Sequence, residues 1–197
     1  MTFATVVSKR ITGLIASFRA QSFFLFLLTF YLALCRRHLE LYIVAGLLFL
    51  LKVVLVPRFL SGIAAKIRAY ETPGFFIKPQ LSLLISLALA YLAYVFTGRI
   101  MPAEQAYSFS VSLSVTMTGM FIMIFRMKAL AQVIGLLVME NGLFLAAAAV
   151  SGGMPFFVEI AIFFDIFVCV IISGVFVYRI NKLFTHIDVS KLRELRG

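Results

Sequence analysis

Charge is what this sequence has least of. Asp, Glu, Lys and Arg make up 13% of its residues, while 63% are hydrophobic. A soluble domain carries about twice that share of charge. With a mean hydropathy of +1.09, the chain reads as a polytopic membrane protein, and no soluble domain fits between its apolar runs. Cysteine is nearly absent. Cys35 and Cys169 stand far apart, which excludes a disulfide framework or a cysteine metal site. Both read as small apolar residues in or near membrane helices. His38 and His186 are the two histidines, and neither has a ligand partner at metal spacing. No glycine-rich phosphate loop, nucleophile motif or cysteine cluster occurs. These absences exclude redox or covalent chemistry by the chain itself, so it is expected to bind no cofactor and no metal and to be non-catalytic. Tryptophan is missing altogether while phenylalanine occurs 22 times, which suits a surface facing lipid or other subunits.

Acidic residues are the scarcer sign: eight against eighteen basic ones, for a net charge of +10. Nucleic acid is rejected as a partner, because the basic residues flank apolar runs as the positive-inside rule expects. The partner that this pattern implies is the lipid bilayer.

A spanning helix needs about 20 mostly apolar residues. Residues 1–19 contain Lys9, Arg10 and Arg19 and fall short, so they predict a short amphipathic helix, interfacial or partly protruding. They also lack a cleavage site after a clean apolar core, and no cleavable signal peptide is expected. Six spans follow, near 20–35, 40–60, 80–98, 104–125, 129–150 and 156–181. The expected fold is all-α, a polytopic helical bundle of about six transmembrane helices. It divides into a first segment at 1–19, a three-helix half at 20–103 and a second three-helix half with a basic tail at 104–197. With the N-terminus, the 61–79 loop, the 126–128 turn and the tail on one side, fourteen of the eighteen basic residues share it. Arg36, Arg37 and Arg99 fall opposite. This predicts a multi-pass inner (plasma) membrane protein with both termini cytoplasmic.

The fourth span alternates Ser108, Ser110, Ser112, Ser114, Thr116 and Thr118 with apolar residues. Period two reads as a strand in water. A lone strand cannot satisfy its backbone in lipid, so helix is expected. Ser110, Ser114 and Thr118 then form a stripe suited to close helix packing, or to a wetted polar path.

Four ionisable residues lie within spans: Lys52, Glu140, Glu159 and Asp165. Intramembrane charges are costly and commonly mark ion pathways. Glu140 is about 15–16 Å from either end of its helix and Asp165 about 13 Å into the next, at 1.5 Å per residue. The two helices form a hairpin through Ser151–Pro155, so both acids can reach similar depth. Glu159 lies nearer the outer surface and does not share a face with Asp165. Lys52 either snorkels to the interface or faces a buried acid or ordered water and passes protons. The alternative for each acid is a fixed hydrogen bond or ion pair that orients a partner helix.

Specific stretches carry a family resemblance. VMENG at 138–142, FFVEIAIFFDIFV at 156–168 and HIDVSKLRELRG at 186–197 resemble the component E subunit of hydrogenase-4-type complexes. LLKVVLVPRFL at 50–60 is similar to that family's second-helix pattern around an intramembrane lysine, here Lys52. The resemblance runs from about Lys9 onward. The family usually has one more spanning helix at its start, lacking here or reduced to residues 1–20. RMKALAQVIGLLVMEN at 126–141 and the acidic helix after it also resemble the K subunit of respiratory complex I and the C subunit of Mrp antiporters. In the K subunit the acid stands one turn earlier, where this chain has Leu137, and a shift of three residues keeps roughly the same face.

The resemblance implies a proton-path hairpin, with Glu140 and Asp165 as its acids and Glu159 as an outer one. It implies partners: antiporter-like and other membrane-arm subunits, and through them redox subunits of a group 4 [NiFe] hydrogenase, formate hydrogenlyase or related complex. Two functions follow. One is a proton-translocating subunit using Glu140, Asp165 and Lys52, and the other is a structural scaffold between the antiporter-like subunits and the redox arm. An autonomous carrier is disfavoured by the lack of an internal repeat.

Overall fold

The computed structural model describes residues 2–8, 10–36, 39–66 and 79–151. The expected sixth span at 156–181, with Glu159 and Asp165, lies outside the described residues. So do His38, Cys169, His186 and the basic tail.

The described chain is helical throughout, with no strand among the described residues. Its elements are α1 (Thr2–Val7), α2 (Ile11–Arg36), α3 (Leu39–Leu48), a π-helical segment (Phe49–Leu55), α4 (Val56–Lys66), α5 (Pro79–Ile100), α6 (Ala103–Phe125) and α7 (Ala129–Ser151). Five stretches are long and apolar enough to cross a membrane: Ile11–Cys35, Leu41–Ala65, Gln80–Ile100, Gln105–Phe125 and Ala129–Ala148. The second is continuous through α3, the π segment and α4. The protein is an all-α membrane helical bundle. The serine-threonine alternation of α6 is helix, as the backbone argument requires.

The N-terminal boundary differs from the one charge placement suggests. Helix α2 begins at Ile11, so residues 11–19 are the first turns of a span. Ile11, Leu14, Ile15 and Phe18 are buried on one face of it, at the i, i+3, i+4, i+7 spacing of a core-facing stripe. Arg19 lies on the exposed face and so does not interrupt the helix. Helix α1 is packed into the bundle. Thr5 and Val6 are both 1% exposed, and Val6 packs on Phe121 and Ile122 of α6 with Ile85 and Leu89 of α5 beside them. The Thr2 hydroxyl accepts a hydrogen bond from Gln21 Nε2 at 3.2 Å. Gln21 lies ten residues into α2, about 15 Å along its axis, so α1 folds back against α2 from that depth.

Helix α7 is the centre of the bundle. On one side Ala131, Ile134, Leu137 and Val138 pack against Leu14, Ile15 and Phe18 of α2 and Val56, Leu60 and Ile63 of α4. Higher up, Phe144 joins Leu25 of α2 and Val44 and Leu48 of α3. On its other side α7 meets α6 backbone to backbone. A Cβ on Gly135 would fall 2.6 Å from the Met123 nitrogen, and one on Gly142 would fall 2.5 Å from the Thr116 nitrogen. A Cβ on Gly119 would fall 2.6 Å from the Met139 Cα. In lipid, burying apolar side chains supplies little drive for helix association, so such close approach carries the packing.

The α6 stripe facing α7 therefore runs through Thr116, Gly119 and Met123, offset from Ser110, Ser114 and Thr118. All five hydroxyls from Ser110 to Thr118 donate to carbonyls three or four residues back, at 2.7–2.9 Å. Their polarity is spent inside the helix, which supports packing over a wetted path.

Gly135→Leu should force α6 and α7 apart and lower stability by roughly 2–3 kcal/mol or more. Gly98→Ala, with open space around its Cβ, should be tolerated. Unfolding of the purified chain in a detergent titration checks both.

Candidate functional site: an ion pair at mid-membrane

Glu140 is the middle residue of α7, eleven positions from Ala129 and eleven from Ser151. That places it about 16 Å from each end. Lys52 is the middle residue of the π segment. The two meet: Lys52 Nζ lies 3.0 Å from Glu140 Oε1, with side-chain exposures of 0% and 3%. Lys52 therefore does not snorkel. Of the four sequence-predicted ionisable residues, these two are brought together. Glu159 and Asp165 lie outside the described residues.

Local winding aims Lys52 inward. Pro57 lacks the N–H that would continue a regular ladder at this height. The turns before it are wound as a π-helix, with the Val56 N–H bonded to the Leu51 carbonyl five residues back. Such segments are rare and concentrate at functional sites.

Two further side chains complete the site. Lys52 Nζ donates to Asn141 Oδ1 at 3.1 Å, and Asn141 Nδ2 donates to Ser22 Oγ at 3.1 Å. An ammonium only donates, so the amide oxygen must face it, and the amide nitrogen is left for the serine. Asn141 is 2% exposed and Ser22 1%. The cluster thus ties α7, the π segment and α2 together inside the bundle. Chemically, an ammonium and a carboxylate in contact can exist as an ion pair or, after one proton shift, as a neutral amine and acid. Such a pair can hold and release one proton, with the amide and hydroxyl as polar neighbours.

Asn141, Ser22 and Gln21 are neutral polar residues that charge placement along the chain leaves unmarked. A signal existed for each, since Asn141 adjoins Glu140 in the middle of an apolar run and Gln21-Ser22 stands just ahead of another. The depth of Arg126 was not legible either. Charge counting treats it as a free basic residue at a turn, yet it is 3% exposed. Its Nη2 donates to the carbonyls of Val6 at 2.8 Å, Thr5 at 3.2 Å and Ser8 at 3.3 Å, and its Nη1 to Ser8 at 3.3 Å. A cation suits the carbonyl end of a helix such as α1. Burial lowers its pKa to about 10, which leaves it charged at neutral pH. Gln132 Nε2 donates to the Arg126 carbonyl at 2.8 Å and closes the turn.

No protein-family model and no solved structure matches the chain. It is similar to the uncharacterized protein Rv0085 of Mycobacterium tuberculosis, with 28% identity over 150 residues that cover 74% of this chain and 68% of that protein.

Removing one partner of a buried pair leaves the other charge stranded. Lys52→Met or Glu140→Leu alone should each cost about 3–5 kcal/mol, and the double variant should recover most of that loss. A double-mutant cycle on unfolding of the purified chain measures the coupling.

Proposed function

We propose that this chain is a non-catalytic membrane subunit of a complex I-like, group 4 hydrogenase-related respiratory complex. In this reading it contributes to proton translocation driven by redox chemistry in partner subunits. Lys52 and Glu140 take up and release the proton at mid-membrane, and Asp165, with Glu159 outside it, continues the path. Antiporter-like subunits adjoin the chain in the membrane arm. The complex sits in the inner (plasma) membrane with both termini of this chain in the cytoplasm.

The observation that carries the reading is the Lys52–Glu140 contact, 3.0 Å long and enclosed within the bundle. An ionisable pair at the centre of two spans is expensive to maintain, and intramembrane charges characteristically line ion and proton routes. The hydrogenase-4 component E resemblance around VMENG and LLKVVLVPRFL supports the same assignment, because it falls on these two residues. One feature favours the scaffold reading instead: Asn141 and Ser22 tie the pair across three elements, as structural glue would.

The two readings separate on a variant that keeps the bundle but loses the titratable groups. Lys52→Met/Glu140→Leu, expressed in the host with the rest of the complex, should assemble and yet show less than about a tenth of wild-type coupled proton uptake in inverted vesicles, the tenfold scale of losing one acid–base relay. Asp165→Asn should do likewise. Undiminished translocation in both assembled variants would leave the chain a scaffold.

A further inference from the structure

A groove of about 770 Å³ lies on the outer face of the bundle, between α2 on one side and the π segment and α4 on the other. Its volume is that of a small-molecule pocket, but its lining is divided by chemistry along its length. Phe23, Phe49 and Val53 wall the end nearer mid-membrane, and Arg19 and Arg58 stand across from each other beyond them.

The two arginines line one stretch of the groove, Arg19 beside Ile15, Ala16 and Ala20 of α2 and Arg58 beside Pro57 and Ser61 of α4. Both are on the exposed face of their helices. Among the described residues neither has a hydrogen-bond or ion-pair partner.

Exposed guanidinium groups within spans of this apolar character are costly unless an anion meets them. A phosphodiester suits a pair of guanidiniums, because each presents a planar fork matched to two phosphate oxygens. The phenyl and valyl wall below them suits acyl chain and nothing polar. We propose that this groove binds an anionic glycerophospholipid, its phosphate held between Arg19 and Arg58 and its acyl chains laid along Phe23, Phe49 and Val53. Zwitterionic headgroups bring an ammonium toward two existing cations and bind less well. The site is separate from the Lys52–Glu140 cluster, and its test reads lipid rather than proton movement.

The purified full chain is mixed with equimolar phosphatidylglycerol and phosphatidylcholine of the same acyl length, and retained lipid is counted by native mass spectrometry. Wild type should retain phosphatidylglycerol preferentially. Arg19→Gln/Arg58→Gln should cut that preference about tenfold or more, at the usual weight of two basic residues on an anionic lipid. Arg99→Gln, at the other end of the bundle, should leave it intact. Arg19→Lys/Arg58→Lys keeps both charges and should retain a preference, which guards against loss of fold in the glutamine pair. A photoreactive residue at Ala20 should crosslink to lipid in native membranes. Equal retention of the two lipids by wild type, an unchanged preference in the glutamine pair, displacement of the lipid by inorganic phosphate alone, or a crosslink to an acidic protein segment would each overturn the assignment.

Discussion

Two opposite charges held together in the middle of a bilayer organise this bundle. Moving an ammonium or a carboxylate out of water costs several kcal/mol per ion even after relaxation, and close pairing with further hydrogen bonds is what offsets it. Lys52 and Glu140 meet only if the second span and α7 hold one register. Asn141 and Ser22 extend the same demand to α2. A slip of α7 by one residue would turn Glu140 about 100° away from the lysine. The apolar contacts of α7 with α4 and the start of α2 lie in the turns below the pair, and those with α3 and Leu25 of α2 in the turn above. The polar contact and the hydrophobic ones therefore select the same alignment.

The remaining helices are arranged around that centre by different forces. Glycines let α6 lie against α7 at backbone distance, and the α6 hydroxyls turn back on their own helix and leave its surface smooth. At one end, Arg126 exchanges its hydration for contacts to the Thr5 and Val6 carbonyls of α1 and to the Ser8 carbonyl just after it. That holds the short helix between α2, α5 and α6 although its own six residues are too few for independent helix stability. The outer surface is left to large apolar side chains such as Phe24, Tyr31, Tyr91 and Phe96, as a bilayer or apolar neighbours permit.

Much of this was legible in the residues, and the failures have identifiable causes. Glu140 stands out because a carboxylate in an apolar run has no inexpensive explanation. Lys52 was ambiguous, because a lysine stem is long enough to reach either the interface or a buried partner. The packing of the second span against α7, which a linear pattern does not encode, decides between them. Charges counted along the chain put the start of α2 too late, because Arg19 then reads as a break. On a helix it is one exposed position beside a buried stripe. Arg126 is opaque in the sequence for the complementary reason: a basic residue at a turn ordinarily faces water, and only the arrival of α1 encloses it.

The sequence by itself determined that the chain crosses a membrane as helices, where the described spans fall to within a few turns, and that Lys52 and Glu140 stand in the middle of apolar runs. Those follow from composition and from the need of every peptide group in lipid to be bonded within its own segment. Tertiary structure alone decided that Lys52 meets Glu140 and that Asn141 and Ser22 close the cluster. It also decided that Thr116, Gly119 and Met123 are the contact stripe of α6. Each of these depends on the rotation of one helix against another. Hydrophobic periodicity is nearly silent about that rotation when a span is apolar on every side, and close packing with buried hydrogen bonds settles it instead.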